Sequence, residues 1–318
     1  MGYLLYLLQM KDISAQDIKI PLDVSKEKKK EYIDNYLSIT HNTNKLFLVA
    51  GDQRVEHMIT SFKGKGIDKD DLNPEHYFKI VSKSNIGAFA TQIGYILNYA
   101  MDYPNIPYVV KLNSISKVLK EGYGYKFSRK WISPHEILDL RKKTKVKIYG
   151  IGYTLYIGIK EESYMLAEAS QVIRESHYLG FPVILWIYPK GKAIKNETDS
   201  SLISTCTNIG GALGADFIKV NAPDEEGSNL VNLEDAVISA GRAKIIVAGG
   251  SNKKTPEYLK LTSNQLNTGI SGVAVGRNVH QKSEVEGIKF CNAVYNLVVK
   301  GIKLDSVLKE YNSVSRIL

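Results

Sequence analysis

PVILWIYP at residues 182–189 and ADFIKVNAP at 215–223 decide how this chain folds. Each is a nearly continuous apolar run of strand length, rich in branched residues, as expected for parallel strands covered on both faces. Working outward, six further runs have the same character: KLFLVAG (45–51), IGAFATQI (86–93), IPYVVKLN (106–113), VKIYGIGYTLY (146–156), KIIVAGGS (244–251) and SGVAVGRN (271–278). Helical patterns separate them. In EESYMLAEASQVIRESHYLG (161–180), Met165, Ala169, Val172, Ile173 and Leu179 follow a period near 3.6 before Gly180 closes the pattern. In EVEGIKFCNAVYNLVVKG (284–301), Ile288, Cys291, Val294, Tyr295 and Val298 share one face. Eight strands alternating with helices predict an α/β protein, a (β/α)₈ TIM barrel over residues 45–318, with a doubly wound open sheet as the alternative. Residues 1–44 are expected to form an N-terminal helical extension. The stretch GYGYKFSRKW (122–131) belongs to an insertion between the third and fourth strands.

Composition narrows the class. The 318 residues are 44% hydrophobic and 24% charged, an ordinary composition for a chain with a large core. Cys206 and Cys291 match no metal-ligand spacing, so free thiols in a reducing cytoplasm are expected. The opening MGYLLYLLQM is too short to span a bilayer and lacks the flanks of a signal peptide, so it is expected to pack or to form an interface, and no membrane association is predicted. A net charge of +9, from 42 Lys and Arg against 33 Asp and Glu, favours anionic partners. The densest basic cluster, Lys26 with Lys28–Lys30, opens a helix ending near Tyr36. With no recognition motif beside it, it reads as a solvated face and not as a nucleic-acid site.

Within ADFIKVN stands a lone lysine, Lys219, where strand periodicity otherwise places an apolar side chain. A buried lysine must pair or lose its proton, and a neutral amine attacks carbonyl carbons. On the segment alone, a Lys219 that points to solvent or ends in a salt bridge is the favoured reading. Barrel enzymes draw their reactive side chains from the C-terminal ends of strands, so the other strand ends supply the context. They offer Asp52 followed by Gln53, Arg54, Glu56 and His57; Lys111 and Asn113; Trp186 and Tyr188; Lys219 and Asn221. The last two carry Ala248-Gly249-Gly250-Ser251 and Gly276-Arg277-Asn278.

Glycines at the seventh and eighth strand ends let a phosphate approach backbone N–H groups, and Arg277 can add a charge-assisted bond. Lys111 either lowers the Lys219 pKa, binds substrate, or leaves the barrel. Tyr188 is a proton shuttle or a packed aromatic; Asp52 a partner of substrate hydroxyl or lysine, or a helix cap; Trp186 a wall of the site or core. Glu56 and His57 do not make up the ligand set of a metal site, and no metal or other cofactor is predicted.

The motifs AGDQRVEH (50–57), VVKLN (109–113), VILWIYPKG (183–191), GADFIKVN (214–221), AGG (248–250) and VGRNVHQK (275–282) resemble, in order and spacing, those of the archaeal-type class I fructose-bisphosphate aldolases. That family also includes bacterial members and related aldol-type synthases and thiolases. The resemblance runs from about residue 45 to 311. It implies reversible cleavage of fructose 1,6-bisphosphate through a Schiff base on Lys219, with Tyr188 transferring protons, Asp52 in the active site and Trp186 beside it. It also implies a C1 phosphate on Gly249, Gly250, Gly276 and Arg277, and a homo-oligomer, commonly rings of five paired into decamers. Two departures stand out: Arg54 where many members have glycine, and Ala248 where serine often precedes the paired glycines. Arg54, Lys190 and Lys192 are the candidates for the second phosphate. The rival readings are a lysine-dependent synthase or thiolase acting on another phosphorylated ketose and, on charge alone, a basic scaffold or nucleic-acid-binding protein.

Overall fold

The computed structural model describes residues 12–116, 118, 127–223 and 233–314. The apolar opening segment and residues 122–126 of the insertion lie outside the described residues. Eight parallel strands close into a barrel in sequence order: β1 (Leu46–Ala50), β2 (Ala88–Gln92), β3 (Tyr108–Lys111), β4 (Ile148–Ile157), β5 (Val183–Pro189), β6 (Phe217–Val220), β7 (Lys244–Ala248) and β8 (Gly272–Val275). Leu46–Val49 of β1 register against Gly272–Val275 of β8, which completes the ring and excludes the open sheet. Closure brings two backbones so close that a β-carbon on Gly272 would stand 2.0 Å from the Leu46 carbonyl oxygen.

Strand side chains alternate faces, and the two faces form two cores. Val183, Leu185 and Ile187 of β5, with Ile218 and Val220 of β6, pack outward among the surrounding helices. Ile184, Trp186 and Phe217 pack inward with Leu46, Leu48, Ala88, Ala90, Val109, Ile246 and Ala274. Lys219 lies two residues beyond Phe217 and therefore shares the inward row. Tyr188 lies two beyond Trp186 in the same way. Both long helical expectations are met, by Glu162–Tyr178 and Glu284–Val298. Gly180 follows the first in the left-handed region that its closing turn requires, at φ +85°.

Before β1 a helix runs over Lys29–Thr40, one turn beyond the expected end at Tyr36. Tyr36 does not stop it, because Leu37–Thr40 continue the pattern; the chain leaves it through His41, Asn42 and Asn44, all at positive φ. Tyr36 stacks on Phe217 at 5.3 Å, so this helix covers the N-terminal end of the barrel. Lys30 forms an ion pair with Asp34 on its exposed face. The segment is further fixed by His177, which sits between Asp23 (Nδ1 to Oδ1, 2.9 Å) and Asp216 (Nε2 to Oδ2, 2.9 Å). Tyr32 also donates to Asp216. Cys206 and Cys291 are buried free thiols. Among the described residues no helix is long and apolar enough to cross a membrane.

Candidate active site

A cleft opens at the C-terminal ends of the strands, lined by Asp52, Glu56, Tyr188, Lys219, Asn221 and Arg277 among others. Trp186 and Lys219 are register partners on β5 and β6. The Lys219 Nζ lies 5.1 Å from the centre of the indole, and the Lys111 Nζ lies 4.7 Å from it. Trp186 itself is buried below the cleft surface. It has room there because β4 carries glycine at 152: a β-carbon at that position would come within 2.7 Å of the ring.

Lys111 is closed to solvent, with Nζ 2.9 Å from Asp52 Oδ2 and 3.5 Å from Glu56 Oε1. Burial alone would lower its pKa, but the two carboxylates outweigh that and hold it above the usual lysine value. Burial likewise opposes ionisation of Asp52, and Lys111 and Lys219 overcome it, so the carboxylate stays ionised. Lys219 has the opposite balance. Its ammonium has no hydrogen bond or ion pair to a described residue, and burial pulls its pKa below the ordinary value, with Lys111 adding to the effect against Asp52 and Glu56. A lysine fixed beside an aromatic wall with its pKa lowered gives up its proton more readily, and the free amine is a nucleophile.

Tyr188 is partly exposed in the cleft and registers with Tyr156 of β4. Burial, then the negative charges of Glu56 and Asp52, push its hydroxyl well above the ordinary phenol value, so it remains a proton donor. On the opposite side lie Gly249, Gly250, Gly276 and Arg277. Gly250 adopts φ +68° with open space beside its α-carbon. The Arg277 Nε is buried without a protein acceptor among the described residues. Asn278 ties the two loops together, donating to Ser251 O (2.9 Å) and accepting from Lys253 N (2.7 Å).

Three expectations need correction. The Gly249 N–H is donated to Ala274 O at 2.8 Å, so this glycine serves by lacking a side chain and the N–H donors fall to its neighbours. Lys111 sits beneath the cleft as a counter-ion, because the Asp52 and Glu56 carboxylates capture it before it can reach a ligand. Arg54 turns away: its guanidinium binds Asp71 and the Leu72 carbonyl and stacks over Phe62 at 4.2 Å. Of the other distal-phosphate candidates, Lys190 lines the cleft and pairs with Glu197, whereas Lys192 is exposed and does not line it. Glu56, Gln53 and Asn278 went unassigned, although Glu56 follows Asp52 by four residues, the spacing that puts two side chains on one helical face. Asp68, Asp70 and His76 bring ligand atoms within 4.8 Å of one another, and none of the three lines the cleft.

The sequence profile of the DeoC/LacD family aldolases matches residues 46–282, which spans the barrel from β1 to the helix start after β8. The chain belongs to this family. A Methanocaldococcus jannaschii fructose-bisphosphate aldolase/6-deoxy-5-ketofructose 1-phosphate synthase is 42% identical over 306 residues, 96% of this DeoC/LacD aldolase and 98% of its relative. The structure of a fructose-bisphosphate aldolase from Slackia heliotrinireducens superposes with a TM-score of 0.91 at 38% identity, covering 95% and 96% of the two chains. An archaeal fructose-1,6-bisphosphate aldolase, solved with its catalytic lysine covalently bound to the carbinolamine intermediate, superposes at 0.70 and 26% identity, covering 84% of this chain and 98% of that one. Two of the homologues of this family member are thus fructose-1,6-bisphosphate aldolases that work through a covalent lysine, one described as forming a Schiff base and the other archaeal.

Proposed function

We propose that this aldolase cleaves fructose 1,6-bisphosphate reversibly through a Schiff base on Lys219. The observation that carries the reading is the placement of Lys219 in the cleft: buried, without a hydrogen bond or ion pair to a described residue, beside Trp186, and in a lining shared with Tyr188 and with Arg277, whose Nε has no acceptor among the described residues. Its neutral amine attacks C2 of the ketose, and the carbinolamine hydroxyl takes a proton and leaves as water. The protonated imine then accepts the electron pair of the C3–C4 bond as the C4 hydroxyl loses its proton, releasing glyceraldehyde 3-phosphate. Tyr188 returns a proton to C3 of the enamine. Water adds to the imine carbon, dihydroxyacetone phosphate departs and the amine is restored. Asp52 and Glu56 supply the carboxylates of the cleft. Gly250, Gly276 and Arg277 receive the C1 phosphate, where backbone N–H groups and a guanidinium whose Nε has no acceptor among the described residues suit a dianion.

Borohydride reduction in the presence of fructose 1,6-bisphosphate, followed by peptide mass mapping, tests this directly. The expected adduct is one reduced triose phosphate on the peptide containing Lys219. No added mass, or full activity in Lys219→Ala, would end the reading.

A second reading, transfer of the three-carbon unit to a different aldehyde, is favoured by one feature of the cleft. Its far wall includes Ile115 and Tyr156, and Lys190 on that side is engaged with Glu197. The M. jannaschii relative carries both activities in its name. Comparing kcat/KM for cleavage of fructose 1,6-bisphosphate and fructose 1-phosphate separates the two, since the transferase reading expects no preference for the second phosphate.

A further inference from the structure

Gln53 lies on the phosphate side of the cleft with its amide flat against Gly276. A β-carbon at 276 would stand 2.3 Å from Gln53 Oε1 and 2.5 Å from Nε2. The same amide oxygen meets a buried histidine, whose Nε2 lies 3.0 Å from Gln53 Oε1. The other ring nitrogen, His280 Nδ1, lies 2.7 Å from Asp71 Oδ2. Asp71 is fully enclosed, and its second oxygen is 3.2 Å from the Arg54 guanidinium. A chain of polar contacts, Arg54–Asp71–His280–Gln53, therefore runs from behind the barrel wall into the cleft.

Counting protons along this chain exposes two states. The Asp71 carboxylate only accepts, so it takes the N–H of His280 Nδ1. In a neutral imidazole that is the ring's one proton; Nε2 is then an acceptor and requires the Gln53 NH₂, which leaves the amide oxygen facing the cleft. In the imidazolium, Nε2–H donates to Gln53 Oε1 and the NH₂ group faces the cleft. The two arrangements differ by rotation of a planar amide, with almost no change in shape.

We propose that Gln53 is a substrate-positioning residue whose amide is turned by His280: it offers donors to the ligand's anionic oxygens when His280 is protonated and an acceptor when it is neutral. The inference rests on the phosphate cradle assigned above. Burial holds the His280 pKa below the ordinary histidine value against the pull of Asp71, and the Arg54 and His76 charges oppose a second proton. The rings flanking it, Phe62 at 5.1 Å and Tyr77 at 5.3 Å, supply no further acid, because the Tyr77 hydroxyl is engaged with the Ala50, Val275 and Gly276 carbonyls. The amide orientation in the structure, with Gln53 Oε1 toward His280 Nε2, is the one that suits the imidazolium, whereas burial favours the neutral ring and the turned amide; binding of an anion shifts this balance by drawing a proton into the ring. Coupling is reciprocal, so protonation strengthens anion binding by the same factor.

Sulfate is the probe, since it keeps its charge across the range in which histidine titrates. Its dissociation constant is measured calorimetrically from about pH 5.5 to about pH 8.5 for the wild type and for Gln53→Met. The wild type should lose affinity about fivefold more steeply than the variant over that interval. In parallel, ¹⁵N-histidine NMR should show His280 as the Nδ1–H tautomer in the free protein at neutral pH, with both nitrogens protonated when sulfate is bound. Equal pH slopes in the two proteins, or a His280 whose protonation state ignores sulfate, would overturn the inference and leave the phosphate cradle standing. If sulfate does not bind at any pH, the cradle itself is wrong and the inference falls with it.

Discussion

The Lys111 ammonium lies 2.9 Å from Asp52 Oδ2, closed to solvent beneath the cleft that the nearly buried Asp52 lines. The pair keeps one carboxylate ionised and sets one positive charge beside the lysine that must be neutral. Lys111→Met removes that cation and leaves Lys219 as the nearest counter-charge for Asp52. The Lys219 pKa then rises, and less of the free amine is present at neutral pH. Cleavage should fall by about tenfold or more at neutral pH and recover in part as the pH is raised, so the acidic limb of kcat/KM moves to higher pH. A stability loss of about 3 kcal/mol should accompany it, because Asp52 loses a buried partner. An unchanged pH profile in steady-state assays would show that Lys111 does not tune the amine.

Lys219 itself costs the fold stability. Its pKa in the folded protein is below the ordinary 10.5, so between the two values the unfolded chain binds more protons than the native one. Stability therefore increases with pH through that window and decreases as the amine is forced to protonate in the barrel. Lys219→Met should be inactive, more stable at neutral pH by about 1 kcal/mol, and free of this part of the pH slope. Thermal unfolding at a series of pH values checks it; a lower melting temperature in the variant would contradict the desolvation argument.

These two lysines also mark what the sequence disclosed. Period-two alternation ties Lys219 to Phe217 and Tyr188 to Trp186, so the shared faces were legible from strand pattern; that these faces point inward is shown only by the closed barrel. Eight such patterns sufficed for the barrel. Lys111 was legible as a strand-end residue, yet its depth was not, since only the folded barrel shows Asp52 and Glu56 closing over it. Arg54 leaves the cleft for a local reason. It follows Asp52 by two residues on a short helical turn, which carries it to the side away from Glu56, and there it meets Asp71. The contact between His280 and Asp71 joins residues 209 apart in the chain, and nothing in either local segment announces it.

Gly152 should prove as sensitive as the reactive residues. A methyl group there would stand 2.7 Å from the Trp186 ring and 3.2 Å from the Lys111 side chain, both inside a closed barrel with little room to yield. Gly152→Ala should destabilise the protein by about 2 kcal/mol and lower kcat more than it raises KM, because the ring that it displaces carries Lys219 while the phosphate side is untouched. Denaturant unfolding and steady-state kinetics measure the two effects. A variant with native stability would mean that the interior repacks around the extra carbon.

His177 offers a pH test remote from the cleft. It is buried between Asp23, ahead of the first long helix, and Asp216, just before β6. Burial disfavours the imidazolium, but Asp216 and then Asp23 outweigh it and raise the pKa from 6.5 to about 10. A histidine whose folded pKa lies above its unfolded value stabilises the native state fully below 6.5, and that contribution is lost as the pH rises through about 10. His177→Gln keeps a hydrogen-bonding side chain and removes the charge. It should lower stability by about 3 kcal/mol near neutral pH, where two carboxylates are left facing an uncharged amide, and the difference from wild type should shrink steadily toward about pH 10. Chemical denaturation of both proteins across that range reads the difference directly. A gap that stayed constant with pH would show that His177 acts by shape and hydrogen bonding alone, without its proton.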